Sequence, residues 1–176
     1  IASPTKKREL LDWLDELTPT DIEDLGFYRS DTGEVLLKIV EPNGREVSAR
    51  SASDGTLRYL ALATALLTAA PGQTFFIEEI ENGVHPTRLH LLIQMLEQMT
   101  GPGRAQVIAT THSPLALAYL GESCRSAALY CFRDEELGLS RLRPVMEIPG
   151  IQQALEVDSI ERLLATGWME HQVPGG

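Results

Sequence analysis

Two short apolar runs, residues 74–77 (Thr-Phe-Phe-Ile) and 106–110 (Gln-Val-Ile-Ala-Thr), alternate with helix-length segments, and that alternation constrains the fold most strongly. Continuous apolar runs of this length read as strands covered on both faces. Residues 57–70 are apolar nearly all round a helical wheel, which predicts a buried helix that Pro71-Gly72 breaks. Pro86 opens a second, amphipathic helix carrying Leu89, Leu92, Ile93 and Leu96, and Gly101-Pro102-Gly103 stops it. Ser113-Pro114 has N-cap and first-turn chemistry for a third helix. Residues 127–132 and 139–143 read as further strands, residues 151–164 as a helix, and Pro174-Gly175-Gly176 as a frayed end. An alternation of helix and strand from residue 51 onward predicts an α/β fold: a parallel sheet between two helical layers.

The chain reads differently before Ser51. Ser3 and Pro4 start a helix that runs through Leu10, Leu11, Leu14 and Leu17 and stops at Thr18-Pro19-Thr20. The region 27–47 is strand-like, with strands at 34–40 and 46–49 around the turn Pro42-Asn43-Gly44. The expected organisation is therefore residues 1–50 as a joining segment of helix plus strands, and residues 51–176 as the main α/β lobe.

The 176 residues carry a net charge of −10, and their only basic cluster is Lys6-Lys7-Arg8. Nucleic-acid binding draws on Lys and Arg to neutralise phosphates, so the charge gives no support for a DNA-binding face. No apolar run approaches the roughly 20 residues that span a bilayer; residues 60–70 are interrupted by Thr64 and Thr68. Cys124 and Cys131 are too few for a disulfide framework and lack zinc-site spacing, which predicts buried or half-buried thiols in a reducing cytoplasm.

Three places carry residues suited to chemistry. Glu78 and Glu79 follow the first apolar strand immediately, and ligands of open α/β sheets sit outside the carboxyl ends of strands. Carboxylates there can hold a hydrated Mg²⁺ and polarise a water; solvated loop glutamates are the plainer alternative. Ser53, Asp54, Gly55 and Thr56 stand at a helix start, where unpaired N–H groups favour an anion. Gly55 would permit close approach of a phosphate, while an ordinary N-cap by Ser53 or Asp54 explains the same residues. His112 lies just past the second strand, in Thr110-Thr111-His112-Ser113-Pro114. Arg58 adds positive charge near the phosphates on one reading and makes a surface ion pair on another.

Taken together and in this order, these residues resemble the carboxy-terminal half of an ABC-type P-loop ATPase head, closest to the RecF/SMC-like and OLD-like ATPases of DNA maintenance and phage defence. Ser53-Asp54-Gly55-Thr56 is similar to the signature loop and Phe75-Phe76-Ile77-Glu78-Glu79 to the Walker B strand. Glu81-Asn82-Gly83-Val84-His85-Pro86 is similar to the D-loop, and Thr111-His112-Ser113-Pro114 to the switch-histidine loop. The likeness is strongest over residues 51–117. It implies that Glu78 supports Mg²⁺, that Glu79 orients or deprotonates the attacking water, and that His112 hydrogen-bonds the γ-phosphate. It also implies that Ser53 and Gly55 meet ATP held by a second copy, with Asn82 and His85 at the homodimer contact. Two departures stand out: the family most often has Asp where Glu78 stands, and Ser-Gly-Gly-Gln where this chain has Ser-Asp-Gly-Thr.

No Gly-x-x-x-x-Gly-Lys-Ser/Thr segment occurs anywhere in the sequence, and Gly101-Pro102-Gly103-Arg104 is a turn without the lysine. Without that loop the β- and γ-phosphates have no cradle. Because the chain begins at Ile1 and not Met, the expectation is a partial chain whose amino-terminal half bears Walker A; a separate chain that supplies the loop, or a relic without one, are the alternatives. Two rival functions differ in class. A metal-dependent nuclease would use Glu78, Glu79, Glu81 and His85, but no third acidic strand end accompanies them. A non-catalytic interaction module descended from an ATPase would need none of these residues.

Overall fold

The computed structural model describes residues 3–17, 22–135 and 137–173. Two compact units divide the chain, Ile1–Ala109 and Thr110–Gly176. The change of sequence character at Ser51 falls inside the first of them.

In the first unit, helix α1 (Pro4–Leu17) starts on the expected proline. Its fully buried Leu10 and Leu14, one turn apart, face the core because residues at i and i+4 share a helix side. The expected stop at Thr18-Pro19-Thr20 lies outside the described residues. Strands β1 (Asp24–Arg29), β2 (Val35–Val40) and β3 (Glu46–Ser48) form an antiparallel sheet in sequence order, with Leu25 opposite Ile39 and Ile39 opposite Val47. The turn at Pro42-Asn43-Gly44 is present, with Gly44 donating to Glu41 O at 2.8 Å. β1 starts ahead of the strand-like region expected from residue 27.

Helix α2 (Asp54–Thr68) buries Thr56, Tyr59, Leu60, Ala63 and Leu66, the i, i+3, i+4 stripe of one face. The expectation of all-round burial is corrected here: Ala61 and Thr68 are exposed, and small residues let the helix lie half in water. Strand β4 (Thr74–Ile77), helix α3 (Leu89–Met99) and strand β5 (Gln106–Ala109) follow, and β4 pairs with β5 in parallel, Phe76 opposite Ile108 and Ile77 opposite Ala109. α3 buries Leu89, Leu92, Ile93, Met95 and Leu96. The α/β character is as expected, but coverage of the strands on both faces is not. Period-2 alternation puts Phe76 and Ile108 on one face, and that face is open, with Phe76 77% and Ile108 48% exposed. Among the described residues nothing covers it.

The second unit carries α4 (Pro114–Tyr119), α5 (Glu122–Ser126), β6 (Leu129–Asp134) and β7 (Leu139–Pro144), then α6 (Ile151–Leu155), α7 (Ile160–Ala165) and α8 (Trp168–His171). β6 and β7 are an antiparallel hairpin of their own. Leu117, Val145, Ile148, Ile151, Ile160, Leu163 and Met169 form this unit's core. The single helix expected over 151–164 is two helices. Val157 is exposed and Ser159 takes the N-cap position of α7, so Asp158-Ser159 restarts the helix. Cys124 is half-buried as expected, whereas Cys131 is exposed on β6. Among the described residues, no helix is long and apolar enough to cross a membrane.

Candidate nucleotide site

The start of α2 is built by a cap. Ser53 keeps an extended backbone (φ −67°, ψ 150°), and its Oγ accepts from the Thr56 N–H at 3.1 Å, satisfying one of the helix's orphan donors. The Ser53 and Thr56 hydroxyls are 2.9 Å apart. Thr56 is only 4% exposed, so its side chain closes the cap from inside. Asp54 is exposed in the first turn, where the helix dipole favours a negative charge. Gly55 is buried, and a side chain there would collide with the carbonyl oxygen of Gly83. Ser53 and Asp54 thus face outward, and Gly55 and Thr56 inward.

The acidic pair lies where β4 ends. Glu78 and Glu79 are both exposed, directly after buried Ile77, and buried Ile80 pins the chain again on the far side. Glu79 has φ +46°, alone among the described non-glycine residues in being positive. The left-handed region costs an L-residue about 1–2 kcal/mol, and such outliers gather at functional sites. The strand exit is then a series of turns: Asn82 donates from its backbone N to Glu79 O at 2.9 Å, and Val84 to Glu81 O at 2.9 Å. Gly83, at φ +76°, supplies the conformation the second turn needs. His85 Nδ1 lies 2.8 Å from Thr87 Oγ1 and caps the short 3₁₀ turn Pro86–Arg88, so its ring is engaged locally. Asn82 is exposed.

Arg58, on the second turn of α2, makes no ion pair among the described residues. Its Nη2 donates to the carbonyl oxygens of Glu78 at 2.5 Å and Glu79 at 2.8 Å. The charges of Arg58 and Arg88 both reach the phenol of the neighbouring Tyr59. Burial pushes the Tyr59 phenol well above its ordinary range, and the charges of Arg88 and Arg58 offset part of that rise. The pattern held a weak hint of this cluster, an arginine inside an otherwise apolar helix, but nothing in it named carbonyls as partners.

Within the first unit, then, the structure brings the start of α2 and the acidic loop together, through Gly55 against Gly83 and Arg58 against Glu78 and Glu79. His112 belongs to the second unit, three residues beyond the end of β5. It is exposed, in a segment where Thr111 Oγ1 accepts from Ser113 N at 3.0 Å. Pro114 takes the first helical position of α4 as expected, although Ser113 makes no side-chain cap bond.

Among the described residues, no group of three or more His, Cys, Asp or Glu side chains is arranged to hold a metal ion, so Glu78, Glu79, Glu81 and His85 do not form a metal cage. Mg²⁺ that arrives with a nucleotide needs only one or two carboxylates, with phosphates and waters completing its shell. The exposed carboxylate of Glu78 at a strand end fits that requirement. A groove of about 720 Å³ among Trp13, Leu66, Glu97, Thr100 and Arg104 lies elsewhere, beside the ends where β4 and β5 begin.

Solved structures share this architecture. A structure from work on ATP-driven dimerization and DNA stimulated activation of SMC ATPases superposes with a TM-score of 0.55 at 13% identity, covering 88% of this chain and 92% of that one. A Smc head bound to the C-winged helix domain of ScpA gives 0.56 at 15% identity, over 78% of this chain and 41% of that one. The Pyrococcus furiosus Smc head with an extended coiled coil gives 0.52 at 13% identity, over 86% and 37%. At these identities the likeness establishes the fold. An "ATP/GTP phosphatase" of Helicobacter pylori is 29% identical over 92 residues, 47% of this chain, and the match spans only 25% of that relative's length. Residues 4–118 match the profile of the family described as "AAA domain, putative AbiEii toxin, Type IV TA system". That match spans more than half of the sequence, and the chain therefore belongs to this AAA domain family and carries the fold of SMC-type P-loop ATPase heads.

Proposed function

We propose that this chain is the carboxy-terminal part of an ATP-hydrolysing head that dimerises around ATP, in DNA maintenance or phage defence. The observation that carries the reading is Glu79: a carboxylate two residues past the end of a parallel strand, on a backbone held at φ +46°. Strain of that kind persists only where the surroundings over-determine it, and here Arg58 and the Asn82 amide both hold the Glu79 carbonyl. Glu79 orients or deprotonates the attacking water, and His112 hydrogen-bonds the γ-phosphate. Glu78 supports Mg²⁺ through its water shell; the ion, when bound with ATP, neutralises charge developing on the phosphates. Ser53 and Asp54, with Gly55 and Thr56 behind them, present the start of α2 to ATP held by the second copy, and Asn82 and His85 line the homodimer contact.

The phosphate cradle comes from outside these 176 residues, which contain no Gly-x-x-x-x-Gly-Lys-Ser/Thr. Two observations support this. The Phe76–Ile108 face of a parallel pair stands open, although parallel sheets are ordinarily covered on both faces. The match to the Helicobacter pylori relative also spans only 25% of that relative's length. Taken alone, it neither binds ATP tightly nor hydrolyses it, and it works in the cytoplasm, where ATP is abundant. Calorimetric titration of the isolated chain with ATP–Mg²⁺ tests this; micromolar affinity overturns it. In the full-length protein, Glu79→Gln abolishes turnover and accumulates ATP-bound dimers on sedimentation. A variant that hydrolyses ATP at the wild-type rate removes the catalytic reading and leaves an interaction module.

A further inference from the structure

We propose that Arg58 is a positioning residue that holds the backbone of the acidic pair in its turned conformation; its consequence for turnover rests on the function proposed above. In an extended strand successive carbonyls point to opposite sides, so two consecutive carbonyls cannot reach one donor. Here the carbonyls of Glu78 and Glu79 both meet Arg58 Nη2, at 2.5 and 2.8 Å. Their relative orientation is set by φ and ψ of Glu79, and the positive φ of +46° is the turn that brings them to the same side. The clamp and the backbone outlier are therefore one geometric device. A charged donor suits it, because charge-assisted hydrogen bonds are stronger than neutral ones.

The choice of partner is unusual for an arginine on a helix. Among the described residues Arg58 makes no ion pair, and its Nε is buried. Its guanidinium therefore serves backbone oxygens and leaves both glutamate side chains outward. Gly55 one turn earlier touches Gly83, so α2 meets the acidic loop at both ends of residues 78–83. Arg58 touches no reacting atom in this arrangement. It acts on Glu79 through the main chain.

The test uses the full-length protein with Arg58→Ala and Arg58→Lys. Small misplacements of a reacting group cost about a hundredfold in rate. Arg58→Ala is therefore expected to lower kcat by about that factor with KM for ATP unchanged, and Arg58→Lys to recover part of the loss. Hydrogen exchange gives a readout independent of activity. In Arg58→Ala the amides of Asn82 and Val84, bonded to Glu79 O and Glu81 O, exchange faster, while those of α3 keep their protection. Unchanged exchange at both amides overturns the proposal, as does a uniform rise across the first unit, which marks general destabilisation. If the wild-type protein hydrolyses no ATP, the functional reading fails, and the exchange result still decides the clamp.

Discussion

Gly55 and Gly83 meet backbone to backbone: the Gly83 carbonyl fills the space a Gly55 side chain would take, and a Cβ on Gly83 would stand 3.1 Å from Gly55 Cα. The contact ties the capped start of α2 to the loop that leaves β4. It also gives Gly55 a reason to be glycine that needs no phosphate. Gly55→Ala sets a methyl against a backbone oxygen, which cannot swing aside as a side chain can. The variant is expected to lose about 2 kcal/mol in urea unfolding, within the range for overpacked sites. Gly83→Ala is penalised mainly by its positive φ, by about 1 kcal/mol. Wild-type stability of Gly55→Ala would contradict the contact.

Glu79→Gly separates stability from activity. Glycine enters the left-handed region freely, so the fold gains about 1 kcal/mol by relief of strain. The carboxylate is lost at the same time, so turnover of the full-length protein disappears. A variant less stable than wild type would mean that the Glu79 side chain holds the loop more firmly than its backbone strains it.

Tyr59 gives the first unit an alkaline weakness. Its phenol is raised above the ordinary value of 10.0, first by burial, with Arg88 and Arg58 pulling partly the other way. The folded state therefore favours the protonated phenol. That contribution is complete below the unfolded value and is lost as pH rises beyond it toward the folded one. Tyr59→Phe removes this component, so stability falls less steeply above about pH 10. A smaller slope persists from Tyr130, whose phenol is raised by burial and then by Glu170 and Cys131. At pH 7 the substitution is neutral or stabilising by up to about 1 kcal/mol, because the Tyr59 hydroxyl is buried without a hydrogen-bonding partner among the described residues. An unchanged alkaline slope is the contrary result.

Phe76 tests whether the open sheet face has an occupant. Being 77% exposed, it contributes little to this chain, and Phe76→Ser shifts its stability by no more than about 0.5 kcal/mol. Ile77→Ala, on the buried face, costs about 2–4 kcal/mol. In the full-length protein Phe76→Ser costs about 2 kcal/mol once the face is covered. Equal, negligible effects in both contexts would show that the face stays in water.

Helix starts and stops were legible because they are local. Pro4, Ser53, Pro71-Gly72 and Pro86 act through their own φ angles, side-chain oxygens and missing N–H groups; Pro4, Ser53 and Pro86 fall at or next to an element boundary, and Pro71-Gly72 lies in the link between α2 and β4. The restart at Asp158-Ser159 carried the same type of signal, and the apolar pattern running through it masked the break. Strand coverage was not legible. An apolar run states that a face avoids water, and residues 74–77 read the same whether the cover is in this chain or beyond it.

The sequence by itself determined the α/β class, the order of the acidic pair, capped glycine and histidine, and with them the resemblance to an ATPase head, because side-chain chemistry and spacing are written along the chain. Tertiary structure alone decided that Gly55 faces Gly83, that Arg58 serves two carbonyls, and that Glu79 sits at positive φ. Each turns on main-chain oxygens or main-chain angles, which every residue carries alike, so no residue pattern could announce which segments would meet.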